Sequence, residues 1–270
     1  MFATSKALNP KDHSQLTLAE TSDYSFAADR MFIPIVLSEI ADVAREYPLV
    51  FISDQPMPVA LTGVEKGLNA YVAEDGSWRA HYIPGSIQSY PFTLGAMPDK
   101  PAEFAIVFDP EAEQLASPAG APLFDSQNKP MANLRKRMDL LTKMKKAEPV
   151  TRQMVKELRE SGLLVDRAIR INRPDGEDSQ ITGIQVIDET KFNALSGEEF
   201  LALRDKGLLP LIYSHLLSMA NLRQGVIAGK YPDLAARPEP QADPVKPMKA
   251  DDDFDLSLFA SDDGDFDIFH

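Results

Sequence analysis

The residue types available for metal binding and nucleophilic catalysis are few in this chain. Four histidines occur, His13, His81, His215 and His270, and no two of them have the sequence spacing of a metal-ligand pair. Cysteine is absent, which removes disulfides, thiolate nucleophiles, iron–sulfur clusters and cysteine zinc sites. We therefore predict no metal site and no cofactor.

The common motifs of cofactor and nucleophile sites are also missing. The chain has no Gly-x-Gly-x-x-Gly, no Gly-Lys-Ser/Thr phosphate loop, no Gly-x-Ser-x-Gly elbow and no His-Glu-x-x-His pair. Catalytic carboxylates need no local motif, however, and a pair such as Asp109 and Asp125 could converge in the folded chain. The sequence by itself identifies no catalytic residue.

The densest group of aromatic and polar side chains lies between Trp78 and Phe92. Six of its members are candidates for a ligand or partner groove: Trp78, Arg79, His81, Tyr82, Tyr90 and Phe92. If the segment begins as a strand, Arg79 and His81 share one face of it, and Trp78 and Tyr82 share the other. Alternatively, the aromatic rings are core residues and Arg79 packs its aliphatic stem along them. Both interpretations remain open.

A locally basic stretch runs from Lys129 to Arg159, opposite a stripe of Met and Leu side chains. It could dock an acidic partner or the acidic C-terminal part of the same chain. It could equally be the solvated face of an amphipathic helix.

The charge of the main body argues against nucleic-acid binding. The formal net charge is −13, but eight Asp lie in the last twenty positions, which contain no Lys or Arg, so the first 250 residues carry only −5. Neutralising phosphates requires clustered Lys and Arg. We therefore predict no nucleic-acid partner.

The sequence also lacks the apolar segments expected of exported or membrane-spanning chains. The N-terminus has no apolar region typical of a secretory signal, and no run approaches the roughly 18 apolar residues of a membrane span. We predict a cytoplasmic protein with no integral membrane segment.

Composition divides the chain into three parts. Residues 1–230 have the composition of a folded domain, 231–250 hold five prolines and are interpreted as a linker, and 251–270 form an acidic, Phe-rich tail. The tail contains too little apolar surface to offset the entropy cost of ordering, which predicts disorder.

Within the tail, Asp253-Phe254-Asp255-Leu256 is echoed by Asp265-Phe266-Asp267-Ile268. The candidate tail-motif residues are Phe254, Leu256, Phe259, Phe266, Ile268 and Phe269. A repeated acidic-aromatic motif is typical of short segments that order on a partner's apolar groove. A solubilising tail and an uncleaved export signal are the alternatives.

Apolar patterning in the first half predicts one helix followed by short strands. The helix begins at Pro34 and ends before Tyr47-Pro48. The predicted strands are Leu49–Ile52, Val59–Val64, Leu68–Val72, Trp78–Ile83 and Phe104–Phe108. The third and fourth form a hairpin around Asp75-Gly76, which favours antiparallel pairing.

The second half changes to a mainly helical period. A helix begins near Met131, is kinked or broken by Pro149, and continues towards a C-cap at Gly162. A second hairpin around Pro174-Asp175-Gly176 joins Ile169 and Ile171 to Ile181–Ile187.

Two further helices are predicted near the end of the folded part. Ser196 and Glu199 have the spacing of a capping box, and Gly207 ends the helix that they begin. The last helix runs from Leu208 to about Val226 and carries His215 on its apolar face, which predicts a structural role for this histidine. Because strands and helices come in blocks, we predict one α+β domain with a largely antiparallel sheet and several packed helices.

Several segments, in their order and spacing, resemble the SapC family of bacterial proteins between about His13 and Val226. They are Glu46-Tyr47-Pro48-Leu49-Val50-Phe51, Pro58-Val59-Ala60-Leu61, Gly76-Ser77-Trp78-Arg79-Ala80-His81-Tyr82-Ile83-Pro84, Tyr90-Pro91-Phe92, Leu123-Phe124-Asp125 and Ile212-Tyr213-Ser214-His215-Leu216-Leu217-Ser218-Met219-Ala220-Asn221-Leu222. The resemblance implies a bacterial protein of the kind named from a surface-layer (S-layer) gene cluster. It also implies relatives that accompany surface-protein export, or that lie beside TonB-dependent receptors and halogenase-like or cupin-like enzymes. It supplies no catalytic residues.

We expect an accessory protein that acts through protein–protein contacts in cell-surface (S-layer) or outer-membrane uptake physiology. The alternative is an enzyme or enzyme partner that modifies a peptide or small molecule and uses the region from Trp78 to Phe92, with Arg79, His81 and Asp125 as its polar groups.

Overall fold

The computed structural model describes residues 5–97, 100–115, 119–171 and 179–232. The turn at Pro174-Asp175-Gly176 and the candidate tail residues Phe254, Leu256, Phe259, Phe266, Ile268 and Phe269 lie outside these ranges.

The described strands are short, apart from two hairpin pairs. In chain order they are β1 (Lys6–Ala7), β2 (Thr17–Leu18), β3 (Phe32–Pro34), β4 (Leu49–Ile52), β5 (Val59–Leu61), β6 (Phe92–Met97), β7 (Lys100–Phe108), β8 (Ala121–Pro122), β9 (Leu164–Ile171) and β10 (Ser179–Ile187). The helices are α1 (Ile40–Glu46), α2 (Gly85–Gln88), α3 (Ala132–Glu160), α4 (Glu189–Asn193), α5 (Gly197–Asp205), α6 (Leu209–Ser218), α7 (Asn221–Gln224) and α8 (Val226–Lys230).

All of the strand pairs in the described residues are antiparallel. The largest sheet has the order β3-β5-β4-β10-β9, a second has the order β1-β7-β6, and β2 pairs with β8. Helices and strands occur in blocks, and the predicted α+β class is confirmed.

Two clusters of buried apolar side chains form the interior. The larger packs around the five-stranded sheet and the C-terminal helices, and the smaller packs around β6 and β7. Helix α3 contributes to both, because Leu134 and Leu141 belong to the smaller cluster whereas Val155 and Leu158 belong to the larger.

The predicted helix at Pro34 begins too early. Pro34 ends the edge strand β3, and a 3-10 turn at Leu37–Glu39 precedes α1. The edge position tolerates proline because its missing N–H would face away from the sheet.

The predicted hairpin around Asp75-Gly76 is confirmed only next to its turn. Gly76 has φ of 80°, and an antiparallel bridge joins Val72 to Trp78. Ala73 donates its N–H to the carbonyl of Ser77, and Arg79 donates its N–H to the carbonyl of Tyr71, but the longer predicted strands do not form. Side-chain acceptors elsewhere hold the segment after Trp78, as described below, so alternating residues alone did not decide its structure.

Helix α3 is not broken at Pro149, which was one of the two predicted outcomes. The helix continues without interruption from Ala132 to Glu160, with Pro149 inside it. Thr151 donates its hydroxyl to the carbonyl of Ala147 at 2.7 Å and accepts the backbone N–H of Leu37 at 2.9 Å, which anchors the next turn.

The C-terminal helices are partly as predicted. The Ser196–Glu199 capping box is present, and both Gly162 and Gly207 have positive φ after helix ends. The single last helix that was predicted is instead three helices, α6, α7 and α8, because the chain turns after Ser218 and again at Gly225.

Candidate functional site

The segment from Trp78 to Gly85 is fastened to the body through aromatic side chains. The indole N–H of Trp78 donates to the hydroxyl of Tyr47 at 2.7 Å, and that hydroxyl donates to the carbonyl of Tyr82. Tyr47 stacks on Tyr71 with 4.3 Å between ring centroids. Burial is the main cause that raises the pKa of both tyrosines, so they remain neutral hydrogen-bonding groups.

Two glutamates fasten the same segment from α1 and the turn before it. The carboxylate of Glu46 accepts the backbone N–H groups of His81 at 2.7 Å and Tyr82 at 2.9 Å. Glu39 is only 5% exposed, and it accepts the hydroxyl of Tyr82 at 2.8 Å and the N–H of Gly85 at 2.9 Å. These carboxylates are occupied by structural hydrogen bonds.

The six candidate groove residues are not gathered around one opening. Trp78 and Tyr82 pack against the larger core, and Phe92 is buried in the smaller one. The side chains of Arg79 and His81 point to solvent, with the imidazole of His81 at 3.3 Å from a Glu46 carboxylate oxygen. Tyr90 lines a cavity that is described below.

Asp109 and Asp125 each serve a local turn. Asp125 accepts the N–H groups of Gln127 and Lys129, and the Lys129 bond is the main cause of its lowered pKa. Asp109 accepts the N–H of Glu111 at 3.0 Å and the hydroxyl of Tyr90 at 3.2 Å.

A large cleft lies between α3, strands β3 and β6, and the turn after β4. Its volume is about 870 Å³, within the range of small-molecule and peptide sites. The apolar part of its lining includes Phe32, Ile35, Val59, Leu94, Leu141 and Met144. We call this space the α3 cleft.

The rim of the α3 cleft carries three charged side chains of α3. Glu148 pairs with Lys145 at 2.7 Å and with Arg152 at 2.6 Å. The hydrogen bond from Lys145 is the first cause of the lowered pKa of Glu148, and Arg152 adds to it. The three groups together carry one net positive charge.

The cleft is bordered by two sheet edges that pair with no further strand among the described residues. β6 is the edge strand of the three-stranded sheet, and its Leu94 lies opposite Ile106 of β7. The carbonyl of Ile106 accepts the N–H of Leu8, on the side of β7 that faces β1. Leu94 therefore directs its N–H and C=O away from β7. By the same alternation, Phe32 on β3 directs its backbone groups away from β5, because Met31 accepts the N–H of Thr62.

Ser86 lines the same cleft, and its hydroxyl oxygen is buried. That oxygen has no hydrogen-bond partner among the described residues. A buried polar atom without a partner costs free energy.

A second cavity, of about 330 Å³, surrounds Arg137, and we call it the Arg137 cavity. Arg137 donates to both carboxylate oxygens of Glu20 at 3.3 Å, and this hydrogen bond is the first cause of the lowered pKa of Glu20. The rings of Phe26 and Tyr90 stack at 3.8 Å beside it. Burial raises the pKa of Tyr90 to about 12, with Asp109 as the next cause.

Comparison with known families decides where the chain belongs. The sequence profile of the SapC family matches residues 8–224. The chain is a member of the SapC family. No curated protein and no solved structure matches it.

In this SapC family member, the described residues form neither a cluster of metal ligands nor a membrane-spanning helix. No group of three or more His, Asp or Glu side chains lies close enough together in those residues to hold a metal ion. No helix among them is both long and apolar enough to cross a membrane.

His215, which lies in a matched segment of the SapC protein, is a core residue at 1% exposure. Its Nδ1 donates to the carbonyl of Leu49 at 2.7 Å, and its Nε2 accepts the N–H of Ile187 at 3.0 Å. Burial lowers its pKa to about 4, so the neutral ring joins α6 to β4 and β10.

Sequence reasoning singled out Tyr90 and the basic stretch from Lys129 to Arg159, which contribute to the two cavities, but it missed the other lining residues. The i, i+3 and i, i+4 spacings of Lys145, Glu148 and Arg152 were visible and indicate ion pairs on one helix face. In contrast, Arg137 and Glu20 are 117 positions apart, and no local pattern connects them.

Proposed function

We propose that this SapC family member is an accessory interaction protein that binds an extended, apolar segment of a partner protein in the α3 cleft. The observation that carries the proposal is that one apolar cleft is bordered by two open strand edges. An extended peptide binds such an edge through backbone hydrogen bonds and places alternate side chains in apolar pockets.

Strand addition to β6 is favoured over addition to β3. Leu94 offers both an N–H and a C=O at the β6 edge, whereas Pro34 lacks an N–H and shortens the usable edge of β3. The bound peptide therefore extends β6, and its side chains contact the apolar lining between β6 and α3.

The charge of the rim favours an acidic residue beside the apolar ones. Glu148 neutralises only one of its two basic partners, so Lys145 and Arg152 leave one positive charge at the mouth of the cleft. A partner carboxylate would complete this cluster, while a partner lysine would be repelled.

A binding role also agrees with the chemistry of the cleft. The carboxylate on its rim, Glu148, has a lowered pKa and two ion-pair partners, so it is a poor general acid or base near neutral pH. The setting in S-layer or outer-membrane uptake physiology is part of the proposal and rests on family membership.

The second candidate is an enzyme or enzyme partner that acts on a peptide or small molecule. It is favoured by Ser86, which belongs to the segment between Trp78 and Phe92 and lines the α3 cleft. The buried hydroxyl of Ser86 has no hydrogen-bond partner among the described residues. A reaction that uses Ser86 would be lost in a Ser86→Ala variant, whereas peptide binding to the β6 edge would be retained.

The binding proposal is tested with a random peptide library displayed on phage and selected on the full-length chain. We expect enrichment of extended, apolar sequences that contain Asp or Glu. On saturation with a selected peptide, hydrogen exchange at the Leu94 amide should slow, because that N–H gains an acceptor.

Two matched charge reversals provide the control. Arg152 lies on the rim, and Arg152→Glu should lower the affinity for the selected peptides by about tenfold or more. Lys156→Glu lies on the same helix, is not among the residues lining the cleft, and should change affinity less than about twofold. Equal binding by both variants, or an unprotected Leu94 amide in the complex, would refute the proposal.

A further inference from the structure

We propose that the Arg137 cavity is a second binding site, which takes a small molecule carrying a carboxylate on an aromatic or apolar body. This inference is independent of peptide binding in the α3 cleft. It rests on the largely buried side chain of Arg137, whose present partner Glu20 is held by long hydrogen bonds. It rests also on the stacked rings of Phe26 and Tyr90 beside that arginine.

The side chain of Arg137 is largely buried, whereas that of its partner Glu20 is at the surface. The side chain of Arg137 is 12% exposed, and that of Glu20 is 74% exposed. The free-energy cost of a charged group that is mostly removed from water depends strongly on how well its hydrogen bonds are made. The exposed Glu20, in contrast, can leave for water at little cost.

The hydrogen bonds that Arg137 makes are long. Both contacts with Glu20 and the contact with the carbonyl of Asn133 measure 3.3 Å. Charge-assisted bonds usually measure about 2.7–2.9 Å. In the same helix, Arg152 approaches Glu148 at 2.6 Å, so short ion pairs do form in this protein.

The donors of Arg137 are also incompletely used. Its Nε is buried and has no acceptor among the described residues. A ligand carboxylate that approaches more closely would form shorter, bidentate bonds with the planar guanidinium. Glu20 thus occupies the position of a ligand carboxylate without satisfying the arginine well.

The rest of the cavity would hold the body of the ligand. Phe26 and Tyr90 stack with their planes 12° apart, and Ile83, Ile87 and Leu140 complete an apolar lining. A volume of about 330 Å³ lies at the small end of ligand pockets, which suits one ring and a short acid chain. Lys136 lies on the lining and adds a second positive charge.

The test uses ligand-observed NMR and calorimetric titration of the full-length chain with 3-phenylpropionate. The neutral amide of the same acid and inorganic phosphate serve as comparison probes. We expect the acid to bind at least about tenfold more tightly than either probe, because the amide lacks the charge and phosphate lacks the apolar body.

Three variants separate recognition from folding. Glu20→Gln removes the competing carboxylate and should strengthen binding of 3-phenylpropionate several-fold, an effect that a merely structural ion pair would not produce. Arg137→Met should abolish binding. Arg135→Met changes an exposed arginine of the same helix and should leave affinity unchanged.

The outcomes decide the proposal even if Arg137→Met is unstable, because Glu20 is exposed and its substitution should be tolerated. The site is supported if 3-phenylpropionate binds the native chain and binds Glu20→Gln more tightly. Absence of binding by both the native chain and Glu20→Gln overturns it. Equal affinity for the acid and its amide, or for the acid and phosphate, also overturns it.

Discussion

At the scale of single residues, the buried polar groups of this protein act mainly as connectors between elements. His215 joins α6 to β4 and β10, and Glu39 joins the start of α1 to the segment that ends at Gly85. Each group is satisfied at several atoms. A residue of this kind resists substitution even though it takes part in no reaction.

His215 makes the stability of the fold depend on pH. Its pKa is lowered to about 4 in the folded state against 6.5 for an ordinary histidine, so the unfolded chain binds its proton first as pH falls. The stability that the neutral His215 contributes is complete above pH 6.5 and is lost progressively towards pH 4, by about 3 kcal/mol in total. Urea unfolding at a series of pH values should show this slope.

Glutamine substitutions isolate the effect of His215. His215→Gln removes the titration and should flatten stability between pH 6.5 and 5, above the range where most carboxylates titrate. His81→Gln changes a solvent-exposed imidazole and should retain the slope of the native chain. If His215→Gln keeps the full slope, the buried histidine is not its source.

At the scale of elements, α3 is a single long helix that contributes to both cores. Its interior proline is exposed, and the helix continues through it. Proline at this place removes the N–H that would bond the carbonyl of Lys145 and crowds that carbonyl.

Pro149→Ala should therefore stabilise the protein. Restoring the N–H and the helix propensity of alanine is expected to raise the free energy of unfolding by about 1–3 kcal/mol. Chemical denaturation measures the change. Val150→Ala, at the neighbouring position with 54% exposure, should change stability by no more than about 0.6 kcal/mol.

A loss of stability in Pro149→Ala would have a specific meaning. It would indicate that the backbone geometry set by Pro149 is needed for α3 to reach both apolar clusters. The helix would then be adapted to the cores, and not only tolerant of its proline.

At the scale of the whole described domain, the two cores should unfold together. Helix α3 supplies Leu134 to the smaller cluster and Val155 to the larger, so neither cluster keeps its packing if the helix unfolds. The sole tryptophan of the chain, Trp78, packs against the larger core and reports on it by fluorescence.

Leu134→Ala tests this coupling. Leu134 is 1% exposed, and the cavity left by its truncation should cost about 2–5 kcal/mol. Trp78 fluorescence and far-ultraviolet circular dichroism should shift to the same lower midpoint. Leu201→Ala, at 49% exposure, should leave both midpoints nearly unchanged.

Separate transitions would contradict a single cooperative unit. If Leu134→Ala produced an early step in circular dichroism while the Trp78 transition stayed in place, the smaller core would unfold independently.

The sequence by itself determined the fold class and many elements with strong local patterns. The three- and four-residue spacing of apolar side chains predicted most of α3, and Ser196 with Glu199 predicted the start of α5. The run at Leu49–Ile52 predicted β4. These features depend on interactions within a few residues, which local patterns describe well.

Only the tertiary structure determined the conformation of the segment after Trp78 and the formation of both cavities. Glu39, Glu46 and Tyr47 bond that segment from positions more than thirty residues earlier, and they replace the strand pairing that its alternation predicted. Arg137 meets Glu20 across 117 positions, and the α3 cleft exists because two sheet edges meet one helix. Such contacts depend on which distant elements pack together, and the local periodicity of the sequence does not specify that packing.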